Sequence, residues 1–255
     1  MRQKLSVVVL TRNEEKNIER CLQAVKWADE IVIVDDKSTD KTIDIARQFT
    51  SKIIVSESRG NLSKQRNIGI DNSSGDWILQ MDADERVTAE LKNKIANLLE
   101  NGSDFAAFSF IRMNNFCGKF LKFGGEGSHK SLRLFKAGMA RFHGRDDRIE
   151  VSGKVCDWDA VMEHYNSPSI EHYVLTQNFY SQTEAEDLNK SLRIISKKQL
   201  RKELISGPIK LFFKIYIKRK GFKDGLHGLV FAVLSAWRRF LIYAKYWELN
   251  KESYR

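Results

Sequence analysis

Carboxylates fall at three places where the chain turns abruptly from apolar to polar. Thr11-Arg12-Asn13-Glu14 follows the run 5–10, Asp35-Asp36 follows 30–34, and Asp82-Ala83-Asp84-Glu85 follows 77–81. In extended backbone, residues two apart point the same way, so Asp82 and Asp84 could face one hard divalent cation. Mg²⁺ or Mn²⁺ suits such oxygen ligands. A cation of that kind can join carboxylates to a diphosphate, two groups that otherwise repel. The backbone offers no substitute, since the chain has neither a Gly-x-Gly-x-x-Gly run nor a Walker A lysine loop. An isolated Asp-x-Asp also suits a turn or a helix N-terminus. The weight of this one comes from its place after an apolar run, with Asp36 after another.

The positioning elements follow from the hydrophobic pattern. Residues 5–10, 30–34, 52–55 and 77–81 read as buried strands. Between and after them, 13–27, 42–49, 63–71 and 89–99 carry helical spacing, with Ile18, Cys21, Leu22 and Val25 on one face of the first and Ile68 inward on the third. Four strand–helix alternations predict an α/β domain with a mostly parallel central sheet flanked by helices. Ligands of such sheets bind beyond the carboxyl ends of the strands, where the carboxylates lie. After Asn101-Gly102 the pattern changes. Residues 105–113 alternate loosely and 116–123 are rich in aromatics. Residues 131–135 and 140–143 read as two strands joined at Lys136-Ala137-Gly138, with 151–155 and 160–164 also extended. From Ser169 the pattern is helical. The expected division is a catalytic domain over 1–168, with halves 1–100 and 101–168, and a helical C-terminal region over 169–255.

Four ordered stretches resemble the family 2 glycosyltransferases, enzymes of the GT-A fold. They are Ser6-Val7-Val8-Val9-Leu10-Thr11-Arg12-Asn13-Glu14, Ile33-Val34-Asp35-Asp36-Lys37-Ser38-Thr39-Asp40, Gln65-Arg66-Asn67-Ile68-Gly69, and Gly75–Glu85 with its Asp82-Ala83-Asp84. Residues 131–181 are similar to the branch holding the WaaE-type lipopolysaccharide-core glucosyltransferases. Where that branch has Val-His-Glu, this chain has Gly144-Arg145-Asp146-Asp147-Arg148, and its downstream His-aromatic pair is matched by His164-Tyr165.

The resemblance implies a fold, a GT-A domain with a C-terminal helical extension, and a reaction, inverting transfer of a hexose from a nucleotide-sugar such as UDP-glucose. Asp84, Asp82 and His164 would hold the metal. Thr11, Asn13, Glu14, Asp36, Arg66 and Asp82 would contact the donor. Asp147, or alternatively Asp146, would be the general base, a role worth about 10²–10⁴-fold in rate. The acceptor would be a hydroxyl of a lipid-linked glycan such as lipopolysaccharide core.

Charge separates the chain into two regions. The 255 residues carry a formal net charge of +10. Residues 1–189 hold 26 Lys and Arg against 29 Asp and Glu, whereas 190–255 hold 17 against 4. Cations mixed with apolar stretches and Phe231, Trp237, Phe240, Tyr243, Tyr246 and Trp247 suit helices lying in a membrane interface. An anionic membrane surface is therefore the expected partner of 208–255. Nucleic acid is not, because a nucleic-acid binder would carry its cations across the body. The residual alternative is a membrane- or nucleic-acid-binding protein with a catalytically silent GT-A body. No stretch reaches the ~18 uncharged apolar residues of a spanning helix; Gly228–Trp237 stops at Arg238-Arg239. Cys21, Cys117 and Cys156 are isolated, which argues against a zinc or disulfide framework. The expected location is cytoplasmic, peripheral on the inner face of the cytoplasmic membrane.

Overall fold

The structure is a computed structural model and describes residues 2–58, 61–144, 148–190 and 195–254. Four strands form its parallel core: β1 (Leu5–Thr11), β2 (Glu30–Asp35), β3 (Ile53–Val55) and β4 (Trp77–Asp82). They lie in the order β3-β2-β1-β4, with Val7 opposite Ile31 on one side and Leu79 on the other. Every residue of β1 is buried, as its uninterrupted apolar run requires of a central strand. The crossovers are α1 (Ile18–Val25), α2 (Thr42–Ala46) and α3 (Leu62–Asp71). The buried residues of α1 are Ile18, Cys21, Leu22 and Val25, the face its spacing predicts.

Helix α3 buries Gln65, Arg66, Gly69 and Ile70, with Ile68 only half-buried. It must approach the sheet closely, because a Cβ at Gly69 would stand 2.2 Å from Val8 Cγ1. Any side chain there would push the helix, and Arg66 with it, off β1. Asn67 fixes its other side, donating from Nδ2 to Phe142 O at 2.8 Å and accepting from Phe142 N at 3.0 Å.

Beyond β4 come β5 (Glu85–Val87), α4 (Ala89–Asn101), β6 (Ala107–Phe116), β7 (Lys119–Phe120), β8 (Lys130–Lys136), β9 (Ala140–His143), β10 (Arg148–Val151) and β11 (Val155–Ser167). Thr88 caps α4 by accepting from Leu91 N. The sheet continues from β4 through antiparallel β8 and β6 to β11 and β5. The two strands expected over 131–135 and 140–143 and the turn between them form, but the strands do not pair with each other. β8 pairs with β4 and β6, while β9 pairs with β10. The buried β8 residues Arg133, Leu134 and Phe135 are the reason, since they need sheet neighbours on both sides.

The chain divides into two units. The first spans 1–112 and 130–164; the second spans 113–129 and 165–255. Residues 113–129 thus group with the helices α5 (Ile170–Lys190), α6 (Lys197–Phe213) and α7 (Leu226–Leu249). Buried Asp224 accepts from Phe123 N at 2.9 Å and Lys122 N at 3.3 Å, and Phe116 meets Tyr173 and Phe231 edge-on at 5.2 and 5.6 Å. A second core in this unit gathers Ala185, Leu200, Ile242, Tyr243 and Tyr246. The tail's aromatics are therefore divided. Phe231, Tyr243 and Tyr246 pack inside the unit, whereas Phe240 and Trp247 are exposed. By length and composition α7 is long and apolar enough to cross a membrane, although Arg238 and Arg239 interrupt its apolar run as the sequence reading noted. Each of those arginines has an acidic partner: Arg238 pairs with Glu184, and Arg239 with Glu203 at 2.8 Å.

Candidate functional site

The carboxyl ends of β1, β2 and β4 bring the polar clusters together. Asp36 N donates to Thr11 O, and Ala83 N donates to Leu10 O. Two loops are then knitted to each other. Asn13, with φ 53°, accepts from Thr39 N at 2.8 Å and donates from its backbone to Ser38 Oγ, while Glu14 N donates to Thr42 Oγ1. Asp35 is fully buried and accepts from Ser38 N and Oγ. Asp36 accepts from Ser58 N at 2.7 Å, Ser58 Oγ at 2.8 Å and Arg12 Nη1 at 3.2 Å. Burial opposes its charge, but these donors hold its carboxyl below the usual carboxylate range. Thr11 is buried, and its Oγ1 has no hydrogen-bond partner among the described residues. A buried hydroxyl without a partner is a standing cost that a bound polar group would relieve.

Asp82 and Asp84 do not behave as a pair. β4 ends at Asp82, and Ala83-Asp84 form a turn, so the period-two rule lapses between them. Asp82 faces three arginines from three elements: Arg66 of α3 at 3.0 Å, Arg112 of β6 at 3.1 Å and Arg133 of β8 at 3.2 Å. Burial would raise its pKa, yet the three guanidinium charges outweigh it and hold the carboxyl far below the usual range. Fully buried Glu85 joins the same network, accepting from Arg112 Nε and from Asp82 N.

Asp84 turns instead to His164. Strands β5 and β11 set this contact, because their antiparallel register puts His164 opposite Glu85, next in sequence to Asp84. Asp84 Oδ2 lies 3.2 Å from His164 Nε2. Arg112 Nη2 lies 2.8 Å from the same nitrogen; a guanidinium can only donate, so Nε2 presents its lone pair. Asp84 Oδ2 and His164 Nε2 are thus an oxygen and a nitrogen that would suit a divalent cation once Arg112 gives up its contact with that nitrogen, the remaining positions being left to a ligand's oxygens. Asp82 is not in this pair, since its oxygens face the arginines. Among the described residues no three or more His, Cys, Asp and Glu side chains converge as a metal site. Glu14 stands nearby. Burial, with Asp84's charge adding to it, raises its pKa against the opposing hydrogen bond from Asn17.

Of the expected site residues, the structure brings together Thr11, Glu14, Asp36, Arg66, Asp82, Asp84 and His164 around these strand ends. Asn13 is exposed and serves to tie the loops. Arg66 is buried beneath Asp82 and against the Phe142 ring, so it does not present a surface cation. Asp146 and Asp147 lie outside the described residues. The sequence reading missed Arg112 and Arg133. Each is a lone arginine in an apolar strand, in Phe110-Ile111-Arg112-Met113 and Leu132-Arg133-Leu134-Phe135. Such a residue requires a carboxylate partner, and that signal was available.

Residues 6–142 match the family model described as Glycosyl transferase family 2. An uncharacterized glycosyltransferase of Rickettsia typhi is 30% identical over 98% of this chain and 89% of its own length. The lipopolysaccharide core biosynthesis glycosyltransferase LpsC of Rhizobium meliloti is 24% identical over 96% of this chain and 92% of its own. Among solved structures, a mannosyltransferase from Pyrobaculum calidifontis, in complex with GDP-Man and Mn²⁺, matches 94% of this chain and 74% of its own with a TM-score of 0.50 and 16% identity, a likeness of fold.

Proposed function

This chain belongs to glycosyltransferase family 2, has the GT-A fold and acts on a nucleotide-sugar; from that premise we propose that it is an inverting, divalent-metal-dependent hexosyltransferase using a UDP-hexose such as UDP-glucose. The observation that carries the reading is the approach of Asp84 to His164 beside the strand ends. A hard carboxylate oxygen and an imidazole nitrogen suit Mg²⁺ or Mn²⁺, and the mannosyltransferase of similar fold was solved with Mn²⁺. Bound there, the metal would supply Lewis-acid neutralisation of the diphosphate that leaves.

The chain's own residues do the rest. Asp36 accepts from the nucleobase, its charge maintained by Ser58 and Arg12. Thr11 offers a hydroxyl without a hydrogen-bond partner among the described residues, and Glu14 would line the nucleobase site beside it. The arginines hold Asp82 ionised and fixed, which orients the turn bearing Asp84; through Asp82 they act as positioning residues. Asp147, with Asp146 as the alternative, removes the acceptor hydroxyl's proton. A single protein carboxylate suffices, because the nucleotide departs without a protein acid.

The acceptor we propose is a lipid-linked glycan of the lipopolysaccharide-core class, supported by the likeness to LpsC and by the basic, apolar-faced helices of 208–255. In this reading the protein sits peripherally on an anionic membrane surface, on the inner face of the cytoplasmic membrane. Hydrolysis of UDP-, GDP-, ADP- and dTDP-sugars with Mn²⁺ or Mg²⁺ tests the donor. Metal-dependent turnover of a UDP-hexose is expected; turnover undiminished by EDTA, or only with another nucleotide, would overturn the assignment.

A further inference from the structure

The helical unit contains a concavity ringed by cations, with chemistry unlike that of the carboxylate-rich strand ends. Between α6 and α7 runs a groove of about 370 Å³ lined by Lys202, Lys210, Lys214, Arg239 and Glu203, with Gly207 on its wall. Lys202 and Lys210 lie on α6 and Lys214 opens the π-turn that continues it, and all three line the groove. Arg239 is already placed. It donates to Glu203 at 2.8 Å and its guanidinium lies 4.8 Å over the Tyr243 ring. Glu203 is thereby engaged, and among the described residues no carboxylate pairs with Lys202, Lys210 or Lys214. Cations held together in this way repel one another until an anion joins them. Gly207 keeps the space open, since a Cβ there would come within 3.1 Å of Glu203 Oε2 and 3.8 Å of Arg239 Nε.

The same two helices expose apolar lines. On α6 and the π-turn that continues it, Ile205, Ile209, Phe213 and Ile217 are exposed every fourth residue, and on α7 Leu226, Val233, Phe240 and Trp247 every seventh. A soluble phosphate would account for the cations and leave these lines in water. An amphiphile accounts for both, with an anionic head on the cations and acyl chains along the apolar residues. We propose that the α6–α7 groove binds the phosphodiester head group of an anionic membrane phospholipid, an inference that rests on the membrane-surface reading above.

The full chain should be partitioned onto three vesicle types: phosphatidylcholine alone, phosphatidylcholine with phosphatidylglycerol, and phosphatidylcholine with oleate at equal surface charge. Binding to phosphatidylglycerol should exceed that to oleate by about tenfold, more than equal charge alone can give. Gly207→Gln fills the groove without changing charge and favours the helix, so it should fold. It should remove the phosphatidylglycerol preference and leave oleate binding unchanged. Lys210→Gln/Lys214→Gln should also abolish the preference, whereas Lys198→Gln/Lys218→Gln, outside the groove, should weaken both anionic vesicles equally. If wild type binds both anionic vesicles alike, or if the groove variants retain the preference, the groove site is overturned while the membrane reading stands. Binding to no vesicle overturns both. Thermal stabilisation by inorganic phosphate, at matched ionic strength, as strong as by short-chain phosphatidylglycerol assigns the groove to a soluble anion and overturns the lipid assignment.

Discussion

Arginines and lysines serve opposite purposes in the two units. In the first, Arg66, Arg112 and Arg133 are buried or nearly so and converge on Asp82. In the second, Lys202, Lys210 and Lys214 are exposed and have no carboxylate partner among the described residues. Planar guanidiniums suit a desolvated carboxylate cluster, and hydrated ammoniums suit an open groove. A net charge of +10 therefore describes neither unit. Buried cations here fix a carboxylate from within, and exposed ones line an open groove.

The largest expected effect tests the buried side of this contrast. Asp82→Ala leaves three arginines facing an empty position and should cost about 3–5 kcal/mol of stability by chemical denaturation. Because the folded Asp82 is held below the usual range, its stabilisation is present above the ordinary carboxylate pKa and is lost only as pH falls through the depressed one. The difference between wild type and variant should thus persist at neutral pH and narrow in strong acid. Equal stability at pH 7 would break the comparison.

Asp84→Ala sharpens it. Asp84 pairs with His164, whereas the ion pairs of Arg66, Arg112 and Arg133 converge on Asp82, so the loss of Asp84 should change stability by no more than about 1 kcal/mol. Metal-dependent donor turnover should nevertheless fall by about 10²-fold or more. The same measurements on Asp82→Ala and Asp84→Ala would separate the residue that builds the site from the one that acts in it.

Glu14→Gln should raise the melting temperature modestly at pH 7 in metal-free buffer. The folded carboxyl is raised by burial, so the wild type loses stability as pH climbs from the unfolded to the folded pKa, and the advantage of glutamine should vanish near pH 4. The smallest effect is expected in the exposed region. Lys210→Gln/Lys214→Gln should alter denaturation free energy by less than about 0.5 kcal/mol, since those cations touch no partner that folding needs.

Much of the fold was legible because β1, β2 and β4 are buried on both faces and read as continuous apolar runs, with α1 between the first two strictly amphipathic. The later sheet was harder. β8 pairs with β4 and β6, strands distant in sequence, and not with β9 across the turn at Lys136-Ala137-Gly138. The resemblance placed Asp84 with His164, but not Asp82 with Arg112 and Arg133. Asp84 and His164 are 80 positions apart, and only the β5–β11 register joins them. The period-two expectation for Asp82 and Asp84 failed because the strand ends between them, a boundary that residue types alone did not mark.

The central claim is that Asp84 and His164 serve a metal-dependent nucleotide-sugar site. Calorimetric titration of the full chain with UDP-glucose, with Mn²⁺ and with EDTA, in wild type and Asp84→Ala, tests it most directly. Binding that requires Mn²⁺ and is lost in Asp84→Ala is the predicted result. Binding of equal strength in EDTA, or in Asp84→Ala with Mn²⁺, would contradict it.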